Sequence, residues 1–236
     1  MGKCEQLKQE MDNLSSGDII NDQAKAAGYL SLFIQAKIAG CAFIDGLSDD
    51  VSDPLKLGTR FQLQMHQYDW DVRGSKLYID HSGYLSSNNT NRKGDYDPAK
   101  DQRNIFRFIP TGWTVSWGVP EENRIESTNS YYLAVDDGPF AGQLLSSNLQ
   151  TVGDPTQQYV TAFPSDQQEA DSWTIESSSD GGWFIHCWPA HDDARVYMDH
   201  PVLDDPMGYG DQWIKVWGKN GGTNQRWMFR SVNFTD

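Results

Sequence analysis

The feature that most constrains the fold is a segment that the chain uses three times. An apolar run that ends in aspartate occurs at Leu77–Asp80, Leu133–Asp136 and Val196–Asp199, and its aspartates lie 56 and 63 residues apart. At such a period each copy is one supersecondary unit, which cannot bury its apolar face alone. We therefore expect three copies to pack around a shared core.

A second motif closes each copy in the same order. It consists of a polar residue, any residue, an aromatic residue, any residue and an apolar residue. The three instances are Asn104–Phe108, Asp171–Ile175 and Gln225–Phe229, with aromatic residues separated by 67 and 54 positions. A single match carries little information, but three pairs of motifs in one order are rare by chance.

Short β-strands are predicted from about residue 57 onward. Runs of β-branched and aromatic residues alternate there with Gly, Asn, Asp and Pro, which is typical of an all-β protein. Residues 61–65, 113–117 and 213–217 alternate between apolar and polar types, as half-buried strands do. In the last of these runs, Trp213 and Trp217 are expected to share a face.

The paired motifs resemble the ricin-type β-trefoil family of carbohydrate-binding domains. The resemblance covers about residues 57–233, and the family's Gln-x-Trp motif is intact at Gln225 and Trp227. The earlier copies depart from it, with Asn104 and Phe106 in the first and Asp171 in the second. The resemblance implies a six-stranded barrel capped by a triplet of hairpins, in a domain that spans residues 57–236.

Residues 1–56 are predicted to form a helical extension and a linker. Helical spacing is shown by Leu7, Met11 and Leu14, and then by Leu30, Ile34, Ile38 and Cys41. The break at residues 16–18 separates two helices, and Asp18 is a candidate cap for the second.

We expect the second helix to pack on the main domain or on a second subunit, so a homodimer through residues 1–46 is one interpretation. Residues 26–44 are the most apolar stretch, but Ser31, Gln35 and Lys37 make them a weak membrane-span candidate.

Charge and cysteine content limit the classes of partner and the cellular locations that we expect for this chain. The chain has 19 basic and 33 acidic residues and a net charge of −14, which argues against nucleic acid and anionic membranes as partners. The three cysteines show no readable disulfide framework. Because no apolar leader is visible, we expect a cytoplasmic location, with non-classical secretion as the alternative. No cofactor is expected.

The third copy carries the main candidate site. A sugar offers adjacent hydroxyls to a carboxylate or amide, and the C–H face of its ring to an aromatic side chain. The resemblance implies that Asp199 accepts hydrogen bonds from ring hydroxyls, that Trp217 stacks on the sugar and that Asn224 adds a polar contact. Gln225 positions Asp199 or belongs to the core. The alternative is a turn at Asp199 and simple packing of Trp217.

The other two copies are poorer candidates for secondary carbohydrate-binding sites. In the second copy Asp136 and Phe163 match the family pattern, but Ala170 stands where the asparagine is expected. Asp136 is also a good turn residue, because an Asp-Asp-Gly-Pro sequence begins there. In the first copy Asp80 is present, and Tyr96 is the candidate aromatic residue.

Metal binding and catalysis are not expected. The spacing of His186, Cys187 and His191 fits no tetrahedral metal site, and strand alternation separates the first two. No nucleophile motif or informative carboxylate pair is present.

The leading hypothesis is a non-catalytic lectin for galactose-type or related glycans. One alternative is a protein-binding trefoil, similar to a protease inhibitor, that uses loops 86–103 and 143–158. Others are a toxin-targeting subunit and a trefoil whose role is structural.

Overall fold

The computed structural model describes residues 2–46, 51–66, 76–87, 104–119, 124–147, 158–163, 170–187, 195–200 and 212–232. The helices are α1 (Lys3–Ser15) and α2 (Gln23–Ile38). The strands are β1 (Gln62–Met65), β2 (Leu77–Ile79), β3 (Leu85–Ser87), β4 (Phe106–Val119), β5 (Arg124–Val135), β6 (Leu144–Ser146), β7 (Gln158–Tyr159), β8 (Thr161–Phe163), β9 (Trp173–Ser177), β10 (Trp183–Cys187), β11 (Val196–Asp199), β12 (Gln212–Trp213), β13 (Lys215–Trp217) and β14 (Arg226–Arg230). The predicted all-β class with two N-terminal helices is confirmed.

Six antiparallel strands form a nearly closed ring. Its order is β1, β14, β10, β9, β5 and β4. Between β4 and β1 a single bridge completes the ring, where Phe61 and Phe106 exchange backbone hydrogen bonds of 3.0 and 2.8 Å. Closure of this kind leaves few backbone groups unpaired at sheet edges.

The aromatic residues of the three closing motifs lie inside this ring. Phe106, Trp173 and Trp227 are fully buried in one apolar core. The indole Nε1 of Trp173 donates to the carbonyl of Leu145 (2.9 Å), and that of Trp227 donates to the carbonyl of Met198 (3.1 Å). The motif therefore marks core positions, as expected.

Segments from all three copies meet in the main apolar core. Their backbones join in a cycle: Leu85 N–H donates to Val160, Val160 to Ile214 and Ile214 to Leu85, at 2.8, 2.9 and 2.7 Å. All three residues are buried. Each belongs to a different copy of the repeat, so the cycle links the three copies.

Both predicted helices are present, but the buried face of the second differs from the prediction. The apolar residues of α2 that become buried are Ala26, Tyr29, Phe33 and Ala36. In contrast, Ile38 is 79% exposed. Apolar residues cover a wide arc of the helix, so packing on the sheet decides which of them become buried. The buried side is the one that carries Phe33, whose ring centroid lies 4.8 Å from Arg107 Cζ on β4.

The helices belong to a second apolar core that they share with the sheet. Ile109 on β4, and Ala134 and Leu144 on β5 and β6, pack in one cluster with α1 and α2. Much of the apolar surface of the helices is thus covered within their own chain. The homodimer through residues 1–46 and the boundary between residues 56 and 57 stay predictions. In the described residues no helix is long and apolar enough to cross a membrane.

One local prediction in this region is wrong, and one covalent bond was not predicted. The N-cap of α2 is Asp22, whose carboxylate accepts from the N–H of Lys25 at 3.1 Å, and Asp18 instead accepts from Asn21 in the preceding turn. Cys4 and Cys41 form a disulfide although 37 positions separate them. The antiparallel packing of α1 on α2 brings them together, which cysteine spacing alone does not reveal. Disulfides persist mainly in oxidising compartments. A test of the predicted cytoplasmic location should therefore also measure whether Cys4 and Cys41 are oxidised in the cell.

Two predicted strands differ in detail from their patterns. Residues 213–217 divide between two ladders, because Trp213 pairs with β3 and Trp217 pairs with β11. The run at residues 113–117 belongs to β4, but a register shift after Pro110 places Trp113 in solvent, 58% exposed. Bulges of this kind re-aim side chains and interrupt simple alternation.

Candidate functional site

The third copy brings the carboxylate of Asp199 together with the amides that the sequence assigns to it. Asp199 ends β11 and is only 3% exposed. Its Oδ2 accepts from Gln225 Nε2 at 2.8 Å, from Asn224 Nδ2 at 3.1 Å and from Asn220 Nδ2 at 3.4 Å. The amides fix the orientation of the carboxylate, and Asn220 is a member that the sequence reasoning missed.

Gln225 holds the loop between β13 and β14 in place. Besides contacting Asp199, its Nε2 donates to the carbonyl of Gly218 (2.9 Å), and its Oε1 accepts from the N–H of Asn220 (2.9 Å). A Cβ on Gly222 would lie 2.3 Å from Asn224 Oδ1, so a glycine is needed there to seat the Asn224 side chain. Gln225 is therefore a positioning residue and is fully buried.

Trp217 lies on the strand next to Asp199. In the β11–β13 ladder Asp199 pairs with Lys215, and Tyr197 pairs with Trp217. Alternate residues of a strand share a face, so Trp217 is the diagonal neighbour of Asp199, at a typical separation of about 7–8 Å between Cα atoms. The indole is 46% exposed, and Lys215 Nζ is 5.1 Å from its ring centroid. The structure thus combines an exposed ring with a nearly buried acid.

His200, which directly follows Asp199, is buried and contacts the site through its backbone. The His200 N–H donates to the carbonyl of Asn224 at 2.8 Å, and its ring Nε2 is 2.5 Å from Ser87 Oγ. Burial lowers the pKa of His200 to about 3, so its ring is neutral at pH 7. Its position directly after Asp199 is the sequence signal that would have found it.

Asp136 of the second copy is enclosed rather than open. Its side chain has no exposed surface, and it forms ion pairs with Lys37 (3.0 Å), Arg107 (2.5 Å) and Arg60. Lys37 comes from α2, so the N-terminal extension supplies one of the three cations. Phe163 pairs through its backbone with Leu144, and its side chain lies outside the described part of the structure.

Asp80 of the first copy is both a turn residue and a partner of an indole. Its Oδ1 accepts from the N–H groups of Ser82 and Tyr84 at 2.8 and 3.0 Å, and its Oδ2 accepts from Trp213 Nε1 at 2.8 Å. The ring of Tyr84 stacks on Trp213 at 4.3 Å. The aromatic partner of Asp80 therefore comes from the third copy. Tyr96, which the sequence proposed for this role, lies outside the described residues.

His186 and Cys187 point to opposite faces of β10. Cys187 packs in the barrel core, whereas His186 lies on the outer face with Thr174 Oγ1 at 2.7 Å. Within the described ranges no group of three or more His, Cys, Asp or Glu side chains is placed to hold a metal ion.

Comparison with known proteins gives similarities to solved structures alone. No family model and no curated protein matches this chain. Among solved structures the chain is similar to a mosquitocidal holotoxin, with 16% sequence identity and a TM-score of 0.43. The alignment covers 75% of this chain and 17% of the toxin chain, so this chain spans about a sixth of that protein's length.

Proposed function

We propose that this protein is a non-catalytic lectin with a ricin-type β-trefoil domain, which binds galactose-type or related glycans at the third copy. The observation that carries the proposal is the group of Asp199, Asn224 and Gln225, joined by hydrogen bonds, beside the exposed indole of Trp217. Asp199 and Asn224 engage sugar hydroxyls, Trp217 stacks on the C–H face of the ring, and Gln225 holds the carboxylate in position.

The trefoil assignment draws support from the symmetry of the described strands. A β-trefoil has a six-stranded barrel and a cap made by three hairpins. The nearly closed ring of six strands fits the barrel, and the cycle of hydrogen bonds among Leu85, Val160 and Ile214 fits the cap. The three buried aromatic residues of the closing motifs share one core, which also fits a trefoil.

The chemistry of the third site suits a small polar ligand. A carboxylate whose Oδ2 already accepts several amide hydrogen bonds is fixed in direction, so a hydroxyl meets a preorganised acceptor. The half-exposed indole offers an apolar surface to the sugar ring. Because one monosaccharide gains little net free energy, we expect a dissociation constant on the order of millimolar, and useful binding then requires multivalency.

A glycan array followed by calorimetry with the best ligand tests the proposal. Trp217→Ala removes the stacking surface, and we expect the binding heat to disappear while thermal stability changes little, because this indole is 46% exposed. Trp113→Ala is the matched control, since it removes another indole, 58% exposed, on β4. We expect the control to bind like the wild type.

The acid is tested by Asp199→Asn, with far-UV circular dichroism to show that the variant is folded. Loss of binding by this variant is expected, because the amide replaces an acceptor by a donor that faces Asn224 and Gln225. Full affinity in a folded Asp199→Asn variant, or equal loss in Trp113→Ala and Trp217→Ala, refutes the site. Protease inhibition together with a silent array would support the protein-binding alternative instead.

A further inference from the structure

The outer surface beside Trp217 carries two cations that the proposed lectin site does not use. Arg195 Cζ lies 5.1 Å from the centroid of the Tyr197 ring, and Lys219 Nζ lies 5.3 Å from the same centroid. Tyr197 is the register partner of Trp217. The cations therefore sit one side chain away from the stacking surface. We call Arg195 and Lys219, with the buried Tyr197 ring beside which both lie, the cationic shelf.

The positive charge of the shelf is only partly compensated. Both cations share the carboxylate of Glu176, with Lys219 at 2.9 Å and Arg195 at 3.6 Å. His186 lies in the same cluster, 5.0 Å from the Tyr197 ring. Burial, with the charges of Arg195 and Lys219, lowers the pKa of His186 to about 3, so it is neutral at pH 7. Two cations share one carboxylate, so among the described residues the shelf has a net positive charge, whereas the net charge of the whole chain is −14.

Donor groups of the shelf have unused hydrogen-bonding capacity. Tyr197 is 1% exposed, and its hydroxyl has no hydrogen-bond partner among the described residues. Arg195 Nη1 also lacks a hydrogen bond in this part of the chain, although its side chain is 24% exposed. Buried polar groups are normally satisfied. These two atoms are themselves buried, so an outside ligand meets the exposed parts of the Lys219 and Arg195 side chains.

We propose that the cationic shelf binds an anionic substituent, a carboxylate or a sulfate, on the glycan that stacks on Trp217. This inference rests on the proposed lectin function and adds the ligand's charge to it. A sugar ring is about as wide as the spacing between neighbouring side chains on a sheet face. A substituent on that sugar, or on the next one, therefore reaches Lys219 and Arg195. The two cations are charge-assisted donors for its oxygens.

Calorimetry with three probes tests the proposal: lactose, 3′-sialyllactose and 3′-sulfated lactose. We expect at least one acidic probe to bind about fivefold more tightly than lactose, which corresponds to one well-formed exposed ion pair. The advantage should shrink as salt is raised, since screening weakens exposed ion pairs. Comparison of the two acidic probes tells a carboxylate ligand from a sulfate ligand.

Three variants of the full chain locate the effect. Lys219→Gln should abolish the advantage of the acidic probe and leave lactose affinity unchanged. Glu176→Gln should increase the advantage, because it frees both cations from their shared carboxylate. Lys8→Gln is the matched control, since it removes an exposed lysine from α1 that pairs with Asp12. It should leave all three affinities unchanged.

The outcomes separate this inference from the lectin proposal. Binding of lactose with no gain for either acidic probe overturns the shelf and leaves the lectin site intact. An equal loss of acidic-probe affinity in Lys8→Gln and Lys219→Gln overturns it too, because the effect is then one of overall charge. If none of the three probes and no glycan on an array binds, both proposals fail. A gain that only Lys219→Gln removes supports the shelf.

Discussion

Acid sensitivity of folding is a direct consequence of two buried histidines. His186 and His200 are 1% and 0% exposed, and burial is the main cause that lowers the pKa of each to about 3. In the unfolded chain an ordinary histidine pKa is about 6.5. Below pH 6.5 the unfolded state binds protons that the folded state cannot. The stabilising effect of the neutral rings is therefore complete above pH 6.5 and is lost as the pH falls towards 3.

The size of the effect follows from the two pKa values. Each histidine costs about 1.4 kcal/mol of unfolding free energy per pH unit within this window, so the pair costs roughly 3 kcal/mol per unit. Between pH 6.5 and 4.5 the loss is roughly 5 kcal/mol. A domain has about 5–15 kcal/mol in total. We therefore expect the protein to unfold, or nearly so, by about pH 4.5.

Urea denaturation at pH 7.5, 6.5, 5.5 and 4.5, followed by tryptophan fluorescence, measures this slope. His200→Gln should halve the histidine part of the slope, because one proton-binding group of the unfolded state is removed. The matched control is His81→Gln, which changes an exposed histidine and should leave the slope unchanged. A slope in His200→Gln equal to that of the wild type would refute the reasoning and assign the acid sensitivity to carboxylates.

Three further substitutions test the packing of the fold. Gly112→Ala should cost about 3 kcal/mol of stability in urea denaturation, because φ is +77° and the added Cβ would lie 2.4 Å from the backbone at the start of α2. Gly118→Ala, with no atom within 4 Å of its Cβ, is the control that should cost little. Cys4→Ser should lower stability by about 3 kcal/mol, as the Cys41 disulfide closes a 37-residue separation, and reductant should then have no further effect. Trp227→Ala should cost roughly 3–5 kcal/mol in the same assay, since it empties a fully buried site; a loss below 1 kcal/mol would contradict the core assignment.

The repeat made much of the architecture predictable. Its closing motif locates the core residues Phe106, Trp173 and Trp227, because an aromatic residue at a fixed place in each copy must face the common interior. Helix spacing likewise places α1 and α2. Sequence does not give the face of α2 that becomes buried, since several apolar stripes compete and the partner sheet decides between them. The Cys4–Cys41 pair is equally hidden, because it depends on how the two helices pack.

The site was predictable in part. Asp199, Trp217 and Asn224, which lie within 25 positions of one another in the sequence, are also neighbours in the fold. The β11–β13 ladder brings Trp217 beside Asp199, and the short loop before β14 brings Asn224 to it. Asn220 was missed because it acts through a loop geometry that no residue pattern displays, and His200 was missed although it directly follows Asp199.

The three aspartates show why equivalent positions in a repeat differ in chemistry. Asp199 is bound by neutral amides and keeps an exposed indole beside it, so it remains suited to a neutral hydroxyl. Asp136 lies under three cations, one of them Lys37 from the N-terminal extension. Removal of one partner from a buried ion cluster is strongly destabilising. The extension therefore also helps to enclose the Asp136 carboxylate. Asp80 directs one oxygen to a turn and the other to Trp213, and so it joins the first and third copies. The same sequence pattern thus gives a different set of contacts in each copy, and only Asp199 combines amide partners with a neighbouring exposed indole.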